Sequence, residues 1–337
     1  MDYAIYVGAS FLGMSLTALI LKYLIPALRE YKIGQRILTD GPGWHKSKEG
    51  TPTMGGIAFG TVIPGIFLLF GLFALNFWDE GIGSVSDLYP AITVSAYGFL
   101  CGLCGVADDI CKLKHKANNG LTAWQKYLLL LIVTVGFLFV MNRFCGLDTQ
   151  LYIPFFDVHF ELGSWYWVFA VILLTGTVNA VNLTDGIDGL CGSVSATVAL
   201  FFFACAIAAS AFGLALLSCA AFGGCLGFLL FNAYPARVFM GDTGSLFLGA
   251  LLSGLAFALD LPVFLFLVGA VYMLEAFSVI MQVLYFKATG KRIFKMAPLH
   301  HHLEKSGWSE KRIVWVFTAL TASVAVVCGI LLISGNK

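Results

Sequence analysis

Charge is what this chain has least of. Only 12% of its 337 residues are Asp, Glu, Lys or Arg, about half the ~25% of an ordinary soluble domain. With 59% hydrophobic residues the chain cannot cover itself with polar surface, which excludes a soluble globular enzyme. A basic excess is also missing. The net charge is +1, and nucleic acid is therefore not expected as a partner. No G-x-x-x-x-G-K-[ST] pattern occurs, which excludes a P-loop nucleotidase. Paired cysteines are lacking as well: the nine are odd in number and lie mostly within apolar runs, so they read as small packing residues. Cys101 and Cys104 form a C-x-x-C, but a thiolate is costly in hydrocarbon. We expect no cleavable leader, because the run from Tyr3 to about Leu24 is long, follows Asp2 rather than a basic stretch and has no clear cleavage motif. Low-complexity segments and obvious repeats are absent.

What the chain does have is long apolar runs. Ten candidate spans are legible, at roughly 3–25, 54–75, 91–107, 126–142, 165–180, 190–210, 213–231, 244–259, 262–286 and 312–333. Each comes near the ~20 residues a helix needs to cross ~30 Å of hydrocarbon. The fold class expected is an all-α, polytopic integral membrane protein, with residues 1–337 forming one domain in a lipid bilayer. Ten spans put both termini on one side. All but Arg143 and Lys337 of the 20 basic residues then fall on, or flank, the loops 26–53, 108–125, 181–189, 232–243 and 287–311. By the positive-inside rule those loops are cytoplasmic and both termini are extracytoplasmic.

The same five loops hold the chemically unusual residues. Asp108 and Asp109 end the third span, followed by Lys112. Neighbouring helix positions diverge by about 100°, so the two carboxylates should face different partners. Anions at a helix C-terminus oppose the macrodipole, which favours a cation, metal or proton-transfer role over a solvated helix end. Asp185 and Asp188 stand three apart in Asn179-Ala-Val-Asn182-Leu-Thr-Asp185-Gly-Ile-Asp188-Gly-Leu190. A helix would put them on one side, whereas a turn would let the glycines bring backbone close to a ligand. The dull alternative is an ordinary Asp-Gly turn. Asp242, in Phe239-Met-Gly-Asp242-Thr-Gly-Ser245, is either a helix N-cap or a carboxylate of a hard-cation site. Carboxylates from separate segments have room for Mg²⁺ and phosphate oxygens.

Three consecutive histidines, His300, His301 and His302, form half of the chain's six. They fan out around any regular backbone and cannot share one ion. Hydrogen bonding to phosphates or proton handling suits them better than zinc. Loop 41–56 is rich in turn residues and carries Lys48 and Thr53; it reads as phosphate-facing or as a plain connector. Within the spans, Glu275 stands out as an intramembrane carboxylate, with Gln282 two helical turns later on the same face. A transporter would place its ionisable groups near the midplane, whereas here they cluster at one face.

Taken together, five segments resemble the phospho-N-acetylmuramoyl-pentapeptide transferases of the polyprenyl-phosphate N-acetylhexosamine-1-phosphate transferase superfamily. They are GTPTMGG at 50–56, DD-x-x-K at 108–112, NAVNLTDGIDGL at 179–190, PARVFMGDTGSL at 235–246, and APLHHHLE with GW at 297–308. Five motifs in order are highly specific. The resemblance implies Mg²⁺-dependent transfer of phospho-N-acetylmuramoyl-pentapeptide from UDP-N-acetylmuramoyl-pentapeptide to undecaprenyl phosphate, giving lipid I and UMP at a bacterial inner (plasma) membrane. It implies Asp242 as the metal ligand, and Asp108 and Asp109, with Lys112, acting on the lipid phosphate or the metal. His301, with His300 and His302, matches the histidine triple needed for activity. Asn182, Asp185 and Asp188 would line the nucleotide side, Asn232, Phe239 and Gln282 the uridine, and Lys48, Thr53 and Lys126 would also bind substrate. A homodimer stays open. The runner-up is a UDP-GlcNAc:polyprenyl-phosphate GlcNAc-1-phosphate transferase, against which the APLHHHLE run argues. Ala107 and Leu303 depart from the family, which usually has an aromatic and Phe there.

Overall fold

A computed structural model describes residues 3–31, 34, 48, 50–77, 85–114, 120–153, 156 and 158–335. The chain is a helical bundle. In order it forms α1 (Ala4–Glu30), α2 (Gly56–Phe77), α3 (Val85–Lys114), α4 (Ala123–Phe144), β1 (Gln150–Ile153), β2 (Val158–Glu161), α5 (Trp165–Thr184), α6 (Leu190–Ala208), α7 (Phe212–Asn232), α8 (Gly241–Ala258), α9 (Pro262–Val268), α10 (Ala270–Thr289), α11 (Leu299–Glu304) and α12 (Glu310–Gly335). Ten of these are long and apolar enough to cross a membrane. Helices suit that solvent because each satisfies its own backbone hydrogen bonds where no water can. Pro26, Pro64 and Pro90 lie inside α1, α2 and α3, as membrane helices allow where neighbouring groups satisfy the freed backbone carbonyls.

Two expectations are corrected. The ninth run does not form one helix over 262–286: it is divided at Gly269 into α9 and α10. A continuous apolar run reports length, and a one-residue interruption within it leaves no periodic signal. The all-α expectation also missed a hairpin, in which β1 pairs antiparallel with β2 from Gln150↔Glu161 to Ile153↔Val158. The alternating, β-branched and aromatic segments Leu-Tyr-Ile and Val-His-Phe were its signal.

Without a hydrophobic force between helices in lipid, close packing falls to small residues. A Cβ added at Gly223 of α7 would run into the Ser10 carbonyl of α1, and one at Gly227 into that of Met14. The innermost helix is α8, whose Leu246, Ala250, Leu251, Leu252 and Leu255 are fully buried. It packs most extensively on α3 and next on α5. Gly105 of α3 lies so near the start of α8 that a Cβ there would strike the Asp242 carbonyl, and Gly56 of α2 abuts Gly244 in the same way. These contacts gather the ends of α2, α3 and α5 around the first turn of α8.

Candidate active site

Asp242 sits at the second position of α8. Each of its carboxylate oxygens has a separate purpose: Oδ2 accepts from Lys112 Nζ at 2.9 Å and from Lys126 Nζ at 2.7 Å, while Oδ1 accepts from Asn182 Nδ2 at 2.9 Å. Lys126 also donates to Asn182 Oδ1 at 3.0 Å, and Asn182 Nδ2 to Ser245 Oγ at 2.8 Å. Residues 112, 126, 182, 242 and 245 thus form one network drawn from α3, α4, α5 and α8. Asp108, Asp109 and Asp242 each bring a carboxylate oxygen to within 4.8 Å of the others. Such a set of hard oxygen donors fits a divalent cation such as Mg²⁺.

The adjacent aspartates do face different ways. Asp108 is tied to Lys112 Nζ at 2.7 Å and accepts from the Leu121 backbone N–H at 2.8 Å. Asp109 accepts from the backbone N–H groups of Asp242 and Thr243 at 3.2 and 3.0 Å, and from the Thr243 hydroxyl at 2.7 Å. An N-terminal helix turn has unsatisfied N–H groups, and here Asp109 of α3 satisfies two of them. The reading of Asp242 as its own helix's N-cap is therefore replaced. The cap position is Met240, whose side chain gives no cap hydrogen bond. Gly241 has φ +70 and a Cβ there would meet Asp109 Oδ2 at 2.7 Å and Thr53 Oγ1 at 2.9 Å, so only glycine fits. Thr53 is held beside this turn because the Phe239 N–H donates to the Pro52 carbonyl at 2.8 Å and the Gly55 N–H to the Phe239 carbonyl at 2.8 Å.

The Asp-Gly segment is a turn between α5 and α6, with Gly189 at φ +79. Asp188 is nearly inaccessible and binds Lys48 Nζ at 2.7 Å through Oδ1 and the Ala236 N–H at 2.8 Å through Oδ2. Lys48 Nζ also meets Glu310 Oε2 at 2.7 Å. Burial by itself would lower the Lys48 pKa, but the two carboxylates more than offset this and raise it. Asp185 is pushed well above the usual carboxylate range, first by burial and then by the negative charge of Asp242, Asp109 and Asp188. Asn232 braces the turn, accepting from the Gly189 N–H at 3.0 Å and donating to the Val238 carbonyl at 2.9 Å.

The three histidines occupy α11 and diverge. His300 is buried beside Glu275 of α10, His301 Nδ1 lies 2.7 Å from Glu304 Oε2, and His302 Nδ1 accepts from the Lys295 N–H at 3.1 Å. Gln282 binds the chain around them: its Oε1 accepts from the Ile293 and Phe294 N–H groups at 3.1 and 3.0 Å, and its Nε2 donates to the Phe294 carbonyl at 3.3 Å.

The structure thus brings together Asp108, Asp109, Lys112, Lys126, Asn182, Asp242 and Thr53 in one cluster, and Lys48, Asp188 and Asn232 in a second around the Asp-Gly turn. Asp185 lies at the start of that turn, at the end of α5. Gln282 and His302 attach to the loop before α11 instead. Residues 41–47 and Glu49, part of the loop read as phosphate-facing, lie outside the described residues. Glu310 and Ser245 were missed. A first-turn glutamate on α12 looks like an ordinary favourable dipole partner, and Ser245 was seen only as a hydroxyl beside Asp242.

Comparison with known proteins decides the family. Residues 91–260 match glycosyl transferase family 4, and residues 48–59 match phospho-N-acetylmuramoyl-pentapeptide-transferase signature 1. A phospho-N-acetylmuramoyl-pentapeptide-transferase of Clostridium botulinum (strain Alaska E43 / Type E3) is 41% identical over 320 residues, 95% of this chain and 94% of that protein. The chain belongs to the phospho-N-acetylmuramoyl-pentapeptide-transferase family. Members so named from Heliobacterium modesticaldum and Bacillus thuringiensis (strain Al Hakam) are 42% and 43% identical, covering 97% and 90% of this chain and 96% and 90% of their own. The chain is thus a phospho-sugar transferase enzyme and a multi-pass bacterial membrane protein. The signature 1 match runs from Lys48 through Thr53 into α2, and its Pro52, Gly55 and Gly56 are hydrogen-bonded to Phe239 and Met240.

Proposed function

We propose that this enzyme transfers phospho-N-acetylmuramoyl-pentapeptide from UDP-N-acetylmuramoyl-pentapeptide to undecaprenyl phosphate, releasing UMP and forming lipid I for peptidoglycan. The observation that carries the reading is the convergence of Asp108, Asp109 and Asp242 with two lysines at one end of the bundle. The distribution of basic residues supports placing that end in the cytoplasm, both termini outside, and the single 1–337 domain in the bacterial plasma membrane.

Mg²⁺ held by Asp242, with Asp108 at hand, would neutralise charge on the diphosphate. The protein's own groups do the rest. An oxygen of the lipid phosphate attacks the sugar-bearing phosphorus in line, the bond to the bridging oxygen breaks, and UMP leaves with that electron pair. Positioning and fixed charge supply most of the catalysis in such a transfer. Lys112 and Lys126 hold Asp242 in place and add positive charge near the phosphates. Asp109 is held on the first turn of α8, and Asp108, paired with Lys112, is the carboxylate we assign to the lipid phosphate. Lys48, Asp188, Asn232, Phe239 and Asp185 line the nucleotide side, and His301 reaches the diphosphate from α11.

The test is a single assay. Detergent-solubilised protein with Mg²⁺, undecaprenyl phosphate and UDP-N-acetylmuramoyl-pentapeptide should release UMP in step with lipid I. Release with UDP-GlcNAc instead would turn the reading to the GlcNAc-1-phosphate transferases, and release with neither would refute it.

A further inference from the structure

Glu275 has a place that the transfer reaction does not account for. It lies on α10, six residues beyond the Gly269 joint, and is fully buried although its neighbours Leu274 and Phe277 are 48% and 62% exposed. A lone carboxylate within a membrane span is costly, so what it touches matters. Both of its oxygens accept the backbone N–H of His300, at 3.1 and 3.3 Å. His300 is the second residue of α11, whose own cap position is Pro298 and makes no side-chain cap hydrogen bond. Glu275 therefore supplies the cap that α11 lacks.

The ring of His300 completes the joint. Its Nδ1 is 3.1 Å from Glu275 Oε2, without the alignment of a hydrogen bond, and the ring is 1% exposed. It fills the space left by Gly186, where a Cβ would lie 2.6 Å from His300 Cε1. The ring of His301 follows 4.2 Å away, with Nδ1 fixed by Glu304.

We propose that Glu275 is a positioning residue: it anchors the first turn of α11 and, through His300 wedged against the Asp185-Gly186 turn, sets where His301 stands relative to the substrate. This rests on the reading above in that His301 acts on the transferred group. A merely structural role makes a different forecast: loss of the acceptor for the His300 N–H would lower the thermal midpoint, while kcat of the folded protein would stay at the wild-type level.

The experiment uses the full chain in detergent, with hydrogen exchange of segment 297–304, thermal midpoints and transfer kinetics. Glu275→Leu should speed exchange in 297–304 at least about tenfold by freeing the capped turn, and should lower the midpoint as any lost acceptor for a buried N–H does. Its kcat should fall about 10²-fold, the scale of a ~1 Å misplacement, while KM for the nucleotide sugar stays within roughly threefold, as when no ground-state binding is lost. Glu275→Gln keeps an acceptor for the His300 N–H and should restore most of both. In a His301→Ala background Glu275→Leu should add almost nothing. Unchanged exchange, or losses that simply multiply, overturns the proposal. Full activity in His301→Ala instead defeats the assigned role of His301, and the exchange result still decides that of Glu275. Should Glu275→Leu not fold, Gly186→Ala crowds the same ring; unaltered exchange at 297–304 in that variant refutes the joint.

Discussion

At the scale of single residues, two aspartates of one cluster, Asp109 and Asp242, serve different ends. Asp242 is the carboxylate on which two lysines and Asn182 converge. Asp242→Asn keeps the side-chain volume and one acceptor, so it should leave the thermal midpoint nearly unchanged while removing most transfer activity, by ~10² or more, as expected for lost charge in a preorganised site. Near wild-type turnover at limiting Mg²⁺ would contradict the metal assignment. Asp109 instead binds two N–H groups and a hydroxyl at the start of α8. Asp109→Ala should therefore lower stability by about 2 kcal/mol, the scale of leaving buried donors unsatisfied, and the loss should be visible as a lower melting midpoint. If Asp109→Ala lost activity with its midpoint intact, a direct chemical role would replace the capping one.

Farther from the site, Asp260 is pushed up to about 6, chiefly by burial and then by Asp148, against an opposing pull from His159. Its unfolded value is near ~4. Between those two values the folded protein keeps a proton that the unfolded chain has released. Stability should thus fall as pH rises from about 4 to about 6, and be fully expressed only below that window. Asp260→Asn should flatten this slope and raise the midpoint at pH 7 relative to wild type. An unchanged melting profile across pH 4–7 would count against it. Its backbone has φ +55, which Asn tolerates as well as Asp does.

At the scale of elements, the proposed active site is a meeting of helix ends whose distances are set by residues with no side chain. Gly105 lets α3 approach α8 at the level of Asp242, and Gly56 lets α2 approach at Gly244. Gly105→Ala puts a methyl group onto the Asp242 carbonyl. It should cost roughly 1–3 kcal/mol as overpacking, and activity should fall well beyond that stability loss, because the helix carrying Asp242 is what must move. Measuring residual activity on the folded fraction separates the two. The glycines were visible in the sequence, but which ones face a neighbouring backbone was not. The same holds for α10: its apolar length was legible, and the break at Gly269 was not, since a helix joint adds no polar residue to an apolar run.

At the scale of the whole molecule, the asymmetry of charge makes a topological forecast. A cysteine introduced at Ser164, beside the hairpin, should react with an impermeant maleimide on intact cells, and one at Ser306, after α11, only after the membrane is opened. The reverse pattern would invert the orientation and move the site to the outside. The native cysteines are mostly buried, which keeps the background low.

Composition and order made legible the apolar surroundings, ten candidate spans and the residue types of the proposed site. Apolar runs of ~20 residues have no other stable surroundings, and carboxylates, lysines and histidines in five ordered motifs have few other uses. Tertiary structure alone decided the division of labour. Asp109 caps a helix more than a hundred residues away, Glu310 shares Lys48 with Asp188, Gln282 ties down a loop and Glu275 holds the histidines. Each of those roles depends on which helix ends come within hydrogen-bond reach, roughly 3 Å. Contacts so short between distant stretches of chain arise from packing in three dimensions, which no local pattern records.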